Sequence, residues 1–128
     1  MAGVVNTWVG YTGGSSPDPT YESVCAGDGH TEALRVQLDP AALSYEDFLE
    51  VFVDDPRVAS HPSPRDRGKP QYKTAIWAQD ATQREVAARV VAASGKAVPV
   101  EDASATAWWD AEDWHQHFYR DFKDFPDD

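Results

Sequence analysis

Asp18-Pro-Thr-Tyr-Glu-Ser-Val-Cys-Ala-Gly-Asp-Gly-His-Thr-Glu32, preceded by Gly10-Tyr-Thr-Gly-Gly14, is the stretch whose reading decides the fold. It sets glycine turns, a short helix, a histidine and a carboxylate side by side. Asp18 is suited to cap the helix with Pro19 at its first position, and Gly27 to end it. That helix carries Tyr21, Val24 and Cys25. Glu32 opens a run to Leu38 that reads as a strand, whose side chains alternate between two faces. Glu32 then shares a face with Leu34, Val36 and Leu38, while Arg35 and Gln37 point the other way. A carboxylate at the mouth of an apolar face is desolvated, which raises its pKa and equips it as a general acid. The plainer reading, that Glu32 only starts the strand and is solvated by the preceding loop, is the one periodicity alone favours.

Working outward, residues 3–10 read as a first strand, rich in β-branched and aromatic side chains. Gly13-Gly14-Ser-Ser-Pro17 is a turn, and Asp39-Pro40 breaks the strand that begins at Glu32. Ser44-Tyr-Glu-Asp47 resembles a capping box that opens a helix to about Val53, with Phe48, Leu49, Val51 and Phe52 on its apolar stripe. Asp54 to Pro70 is a long loop of a kind that often carries function. Tyr72 to Ala78 reads as a strand in which Tyr72, Thr74 and Ile76 share a face. A third helix is opened by Asp80 or Thr82 and closed by Gly95. Val98-Pro-Val100 is at best a short edge strand, because proline cannot donate to a ladder. Asp110 to Tyr119 reads as a helix with acidic residues at its N-terminus, where they suit the dipole. Strands and helices alternate, which predicts an α/β or α+β layered domain.

At 128 residues the chain is expected to form one domain, with an acidic tail over about residues 120–128. Twenty-two acidic against eleven basic residues give a formal net charge of −11, which disfavours a nucleic-acid backbone or an anionic membrane as partner. The acidic runs Asp110–Asp113 and Asp121–Asp128 read as solvated faces. No stretch has the length of a transmembrane helix and no targeting signal is visible. Cys25 is the single cysteine, so no intrachain disulfide forms, and the expected setting is a reducing compartment such as the cytoplasm.

Tyr21, Glu32, Asp66 and Tyr72 sit in or beside loops. Two phenols and two carboxylates in one pocket would hold a polar oxygen and supply a proton. Each has a plain alternative: Tyr21 as a core aromatic with a wet tip, Asp66 as a turn cap, Tyr72 as a strand packer. Asp113, His115 and His117 do not make a metal site, since helical positions two apart face apart and no other cluster supports one. Cys25, near the unfavourable end of its helix dipole, reads as a buried, inert thiol.

Gly3-Val-Val-Asn-Thr-Trp-Val-Gly-Tyr-Thr-Gly-Gly14 and Pro19-Thr-Tyr-Glu-Ser-Val-Cys-Ala-Gly-Asp-Gly-His-Thr-Glu-Ala33 together resemble the peptide-methionine (S)-S-oxide reductases, the methionine sulfoxide reductase A family. Asp39-Pro, Ser44-Tyr-Glu, Asp66-Arg-Gly68, Gln71-Tyr-Lys-Thr-Ala-Ile76 and Ala111-Glu-Asp-Trp-His-Gln116 follow in the family's order, so the resemblance runs from residue 3 to about residue 119. It implies a ferredoxin-like α/β two-layer sandwich that reduces the S epimer of methionine sulfoxide, free or in proteins. In that family a cysteine thiolate attacks the sulfoxide sulfur, methionine leaves, and another thiol or thioredoxin resolves the sulfenic acid. No cofactor is bound; the reductant is thioredoxin or a dithiol. Glu32 resembles the acid that protonates the sulfoxide oxygen, Tyr21 and Tyr72 the phenols that hydrogen-bond it, and Asp66 the polar group beside them.

The sequence also departs from the family. The Gly-Cys-Phe-Trp-Gly motif that carries the nucleophile and the methyl-binding aromatics does not occur in these residues, and neither does a cysteine-bearing glycine-rich tail. Cys25 matches a family cysteine without a usual catalytic role. One residue is missing between Asp28 and His30, and one is added between Gly68 and Tyr72, which alters the spacing of Tyr72 from Asp66. The expectation is therefore an N-terminally incomplete reductase chain, with an exposed strand edge. Two other functions compete with it: a catalytically dead module that binds methionine sulfoxide, and an acidic interaction domain that pairs through that edge.

Overall fold

The computed structural model describes residues 2–56, 58, 60 and 73–116. Its elements, in order, are β1 (Val4–Thr12), α1 (Tyr21–Cys25), β2 (Thr31–Leu38), α2 (Tyr45–Asp54), β3 (Ile76–Ala78), α3 (Ala81–Ser94), β4 (Val100–Asp102), β5 (Trp108–Asp110) and α4 (Asp113–Gln116). The predicted alternation of strands and helices is borne out as a mixed α/β architecture. β1 is the centre of an antiparallel sheet ordered β2-β1-β5, and β3 and β4 pair in parallel as a second sheet.

β1 and β2 form where β-branched and aromatic residues alternate with polar ones. Their register sets Val9 opposite Leu34, Tyr11 opposite Glu32 and Thr12 opposite Thr31. Val9, Tyr11, Val24 and Ala111 are buried together, with Leu34 packed against them. This places the core of the first sheet on the face that Glu32 shares with Leu34. On the other face the Trp108 indole lies against Gly10, where a Cβ would stand 2.2 Å from its Cζ2. Arg35 lies 4.6 Å from the centre of that indole, and Trp108 Nε1 donates to Asp110 Oδ1 at 2.7 Å.

A second core gathers Leu49 and Val53 of α2, Ile76 of β3, Ala87 and Val90 of α3, and Val98. Complete burial of a side chain such as Leu49, 3% exposed, contributes about 1.5–3 kcal/mol. The caps of α2 and α3 agree with expectation: Ser44 Oγ accepts from the Asp47 amide, Asp80 Oδ1 accepts from the Gln83 amide, and Gly95 ends α3 at φ +75°. Thr82 is inside α3, so Asp80 is its cap. Lys96 Nζ donates to the Asp55 and Val58 carbonyls at 3.1 and 2.9 Å, which ties the end of α2 to the segment after α3.

Several expectations need correction. α1 is capped by Thr20, not Asp18: the Thr20 side chain and Ser23 satisfy each other's amides, while Asp18 stands at φ +51°. An N-cap needs extended backbone, which Asp18 does not have. Val51 is 50% exposed, because the buried stripe of α2 runs through Leu49 and Val53, four residues apart. β3 starts only at Ile76, so Thr74 lies outside it and Tyr72 lies outside the described residues. Pro99 directly precedes β4, whose three residues pair with β3. Asp110 ends a strand rather than opening a helix, and α4 starts at Asp113. Among the described residues no helix is long and apolar enough to cross a membrane.

Candidate functional site

The site grows from the central strand. Tyr11 is fully buried and sits across the β1–β2 ladder from Glu32, which is half-buried. β5 continues the sheet, and the Ala111 amide donates to the Val9 carbonyl at 2.9 Å. That bond carries the chain past β5 so that Glu112 turns back over the sheet. The Tyr11 hydroxyl donates to Glu112 Oε1 at 2.9 Å, and the Tyr21 backbone amide donates to Glu112 Oε2, also at 2.9 Å. One carboxylate thus joins the middle of the sheet to the first residue of α1. The Tyr21 amide is one of the donors that a helix N-terminus leaves unpaired. The Tyr21 ring, 40% exposed, stands edge-on to Trp114 with the ring centres 5.2 Å apart.

Electrostatics bind these groups further. Burial, first, pushes the Tyr11 phenol well above its usual range, the Glu112 hydrogen bond and charge add to this, and Glu32 and Cys25 contribute through their charge. The Tyr11 hydroxyl therefore stays protonated and committed as a donor.

The loop between β1 and α1 is held by His30. Its Nε2 donates to the Ser16 carbonyl at 2.8 Å and its Nδ1 accepts from the Gly14 amide at 3.3 Å, a pattern met by a ring whose proton is on Nε2. The imidazole is 1% exposed and so close to Gly14 that a Cβ there would stand 2.9 Å from it. Asp28 ties the other side: Oδ1 accepts from the His30 amide at 2.9 Å and Oδ2 from the Ser23 hydroxyl at 2.7 Å. Tyr21 and Glu32 are consequently carried on a frame of short polar contacts.

Of the four residues singled out from sequence, Tyr21 and Glu32 are brought to one region through Tyr11 and Glu112. Asp66 and Tyr72 lie outside the described residues. Cys25 is exposed, not buried, because Val24 alone of the α1 residues turns into the core. Sequence reasoning missed Tyr11, His30, Glu112 and Trp114. Glu112 was hidden in the run Asp110–Asp113, read as a solvated face; here it is half-buried and accepts two hydrogen bonds. Tyr11 had a legible signal, its parity with Val9 in β1. His117 lies outside the described residues, among which no three His, Cys, Asp or Glu side chains group as metal ligands do.

A separate cleft of about 330 Å³ is lined by Gly13, Thr31, Lys73, Trp77, Glu101 and Thr106, among others. Thr31 and Glu32 point to opposite faces of β2, so this cleft lies behind the sheet from Glu32.

The chain is similar to known proteins in both sequence and fold. The family described as Peptide methionine sulfoxide reductase matches residues 1–126. Peptide methionine sulfoxide reductase MsrA of Escherichia coli O6:K15:H31 (strain 536) is 39% identical over 128 residues, covering 92% of this chain and 60% of that protein. The MsrA of Escherichia coli strain SMS-3-5 gives the same figures, 39%, 92% and 60%. Among solved structures, methionine sulfoxide reductase A of Corynebacterium diphtheriae superposes with a TM-score of 0.72 at 28% identity, covering 91% of this chain and 63% of its own. Mxr1 from Saccharomyces cerevisiae in reduced form shares the fold, with a TM-score of 0.65 at 23% identity over 98% of this chain and 75% of that one. The chain belongs to the peptide methionine sulfoxide reductase family, a family of oxidoreductases. It spans about 60% of the length of the Escherichia coli proteins it matches.

Proposed function

We propose that the chain serves the reduction of methionine S-sulfoxide, free or in proteins, to methionine, with thiols as the source of electrons. The observation that supports this best is the placement of Glu32 beside the buried Tyr11, with Tyr21 tied to the same assembly through Glu112. Tyr21 and Tyr72 donate hydrogen bonds to the sulfoxide oxygen, with Asp66 as the polar group beside them. Glu32 gives that oxygen a proton as a thiolate attacks the sulfur. Positioned proton transfer of this kind supplies roughly 10²–10⁴-fold in rate. The thiolate sulfur bonds to the sulfoxide sulfur as the protonated oxygen leaves it as water. Water then attacks the thiol-derived sulfur, the bond between the two sulfurs breaks, methionine leaves, and a sulfenic acid is left on the attacking sulfur. A second thiol attacks that sulfur, a disulfide forms and water is released. Two thiols are thereby oxidised for each sulfoxide reduced.

Within the 128 residues the only thiol is Cys25, and the Gly-Cys-Phe-Trp-Gly motif does not occur, so the attacking thiolate is not assigned to a residue of this sequence. A thioredoxin-like dithiol suits the recycling step, no resident metal or cofactor is needed, and a reducing compartment such as the cytoplasm suits the chemistry. The test is a ¹⁵N-NMR titration with the S and R epimers of N-acetylmethionine sulfoxide N-methylamide. The S epimer binds more tightly, and binding is lost when Glu32→Gln and Tyr72→Phe are combined. Equal affinity for both epimers, or none for either, would refute the proposal.

A further inference from the structure

Two donors from distant parts of the chain converge on Glu112, and a carboxylate can only accept. The Tyr11 hydroxyl must therefore point at Oε1, and the Tyr21 amide at Oε2. Tyr11 belongs to the strand that carries its partner Glu32 across one ladder, whereas Tyr21 begins a helix of only five residues. So short a helix has little stability of its own and takes its position from what its ends are attached to. The Thr20–Ser23 box and the Ser23–Asp28 bond attach α1 to its own loop. Glu112, 91 residues along the chain from Tyr21, attaches it to the sheet. Glu112 itself is fixed by the β1–β5 ladder and the Ala111–Val9 bond immediately before it.

We infer that Glu112 is a positioning residue: with one oxygen on the Tyr11 phenol and the other on the Tyr21 amide, it sets the separation between the Tyr21 phenol and Glu32. The inference rests on the functional reading above, in which those two side chains meet the same sulfoxide oxygen. Glu112 does not touch the substrate. It acts by making the strand-borne acid and the helix-borne phenol one rigid unit, and a displacement of about 1 Å between two such groups is enough to cost much of their joint effect.

The test is the affinity of the full chain for N-acetylmethionine (S)-sulfoxide N-methylamide, by ¹⁵N-NMR titration well below each variant's unfolding midpoint. Glu112→Ala weakens binding by about tenfold or more. Glu112→Gln restores it to within about threefold, because the glutamine oxygen accepts from the Tyr21 amide while its NH₂ donates to the Tyr11 oxygen. Loss in one folded variant and rescue in the other is not what a purely structural role gives, since such a role changes the midpoint and leaves the folded population's affinity alone. A folded Glu112→Ala that binds as the parent does overturns the inference and spares the functional reading. If Glu112→Ala does not fold, Tyr11→Phe decides: weakened binding supports the inference, and parental affinity overturns it. A parent chain without affinity overturns the functional reading, and this inference with it, before any variant is made.

Discussion

Replacing Tyr11 by phenylalanine removes one oxygen atom and keeps the ring that packs with Val9, Val24 and Ala111. The Glu112 carboxylate loses one of the two donors described for it. A hydrogen bond to a charged group is worth about 1.5–3 kcal/mol, and because Glu112 is half-buried, water recovers part of this, leaving about 1.5–2 kcal/mol. The pH dependence is more specific. Burial first, then Glu112, Glu32 and Cys25, hold the Tyr11 phenol above its ordinary range. The unfolded chain releases this proton near pH 10, whereas the folded chain retains it. The stabilisation is thus fully present below about pH 10 and is lost as the pH rises beyond, by about 1.4 kcal/mol per pH unit for one proton. Tyr45, raised by burial and by Asp80, adds a second slope that the substitution leaves in place. Urea unfolding followed by circular dichroism from about pH 8 to about pH 11 reads both effects. The variant is expected to be less stable near neutrality and to fall less steeply above about pH 10, so that the two curves converge. Parallel curves across that range would refute the account of Tyr11.

Other outcomes follow from single contacts. Gly10→Ala drives a Cβ to 2.2 Å from Trp108 and 2.6 Å from the Trp109 carbonyl oxygen, and should cost about 1–3 kcal/mol in urea unfolding; an unchanged midpoint would show that Trp108 moves freely. Gly95→Ala places a side chain at φ +75° in the cap of α3 and should cost about 1–2 kcal/mol by the same measurement, with no loss contradicting the cap. The Asp102 carboxyl is held below its usual range by the Ser104 hydroxyl and amide, with Arg84 adding to this. Its ¹³C titration midpoint should accordingly fall under the ordinary aspartate value; its contribution is present at neutral pH and lost as pH falls through that midpoint, and an ordinary midpoint would remove it. With dithiothreitol as reductant, Cys25→Ser should leave any sulfoxide reduction unchanged, and loss of turnover in that variant would identify Cys25 as the attacking thiol.

What the sequence disclosed and what it hid divide along physical lines. The strand that follows His30, the caps at Ser44 and Asp80 and the stop at Gly95 are local signals, written within a few residues, and each is found close to where it was read. Glu32 was placed on the apolar face by parity, and its partner Tyr11 and neighbour Leu34 are in that core. β5 was not legible, because three residues form a strand only when a distant partner, β1, offers its edge. Glu112 was illegible for the same reason. Nothing within Asp110–Asp113 separates the carboxylate that accepts from Tyr11 and Tyr21 from the exposed ones beside it, since those donors lie 101 and 91 residues away. The Asp18 cap failed to a better competitor, the reciprocal Thr20–Ser23 pair.

The central claim is that a sulfoxide is held on the Glu32 face of the sheet, between that carboxylate and Tyr21. Intermolecular NOEs from the ¹³C-labelled S-methyl group of bound N-acetylmethionine (S)-sulfoxide N-methylamide test it most directly. The account predicts contacts to the ring protons of Tyr21 and the methylene protons of Glu32, lost in the Glu32→Gln and Tyr72→Phe double variant. Contacts confined to Trp77, Lys73 and Thr106, in the cleft behind the sheet, would contradict it.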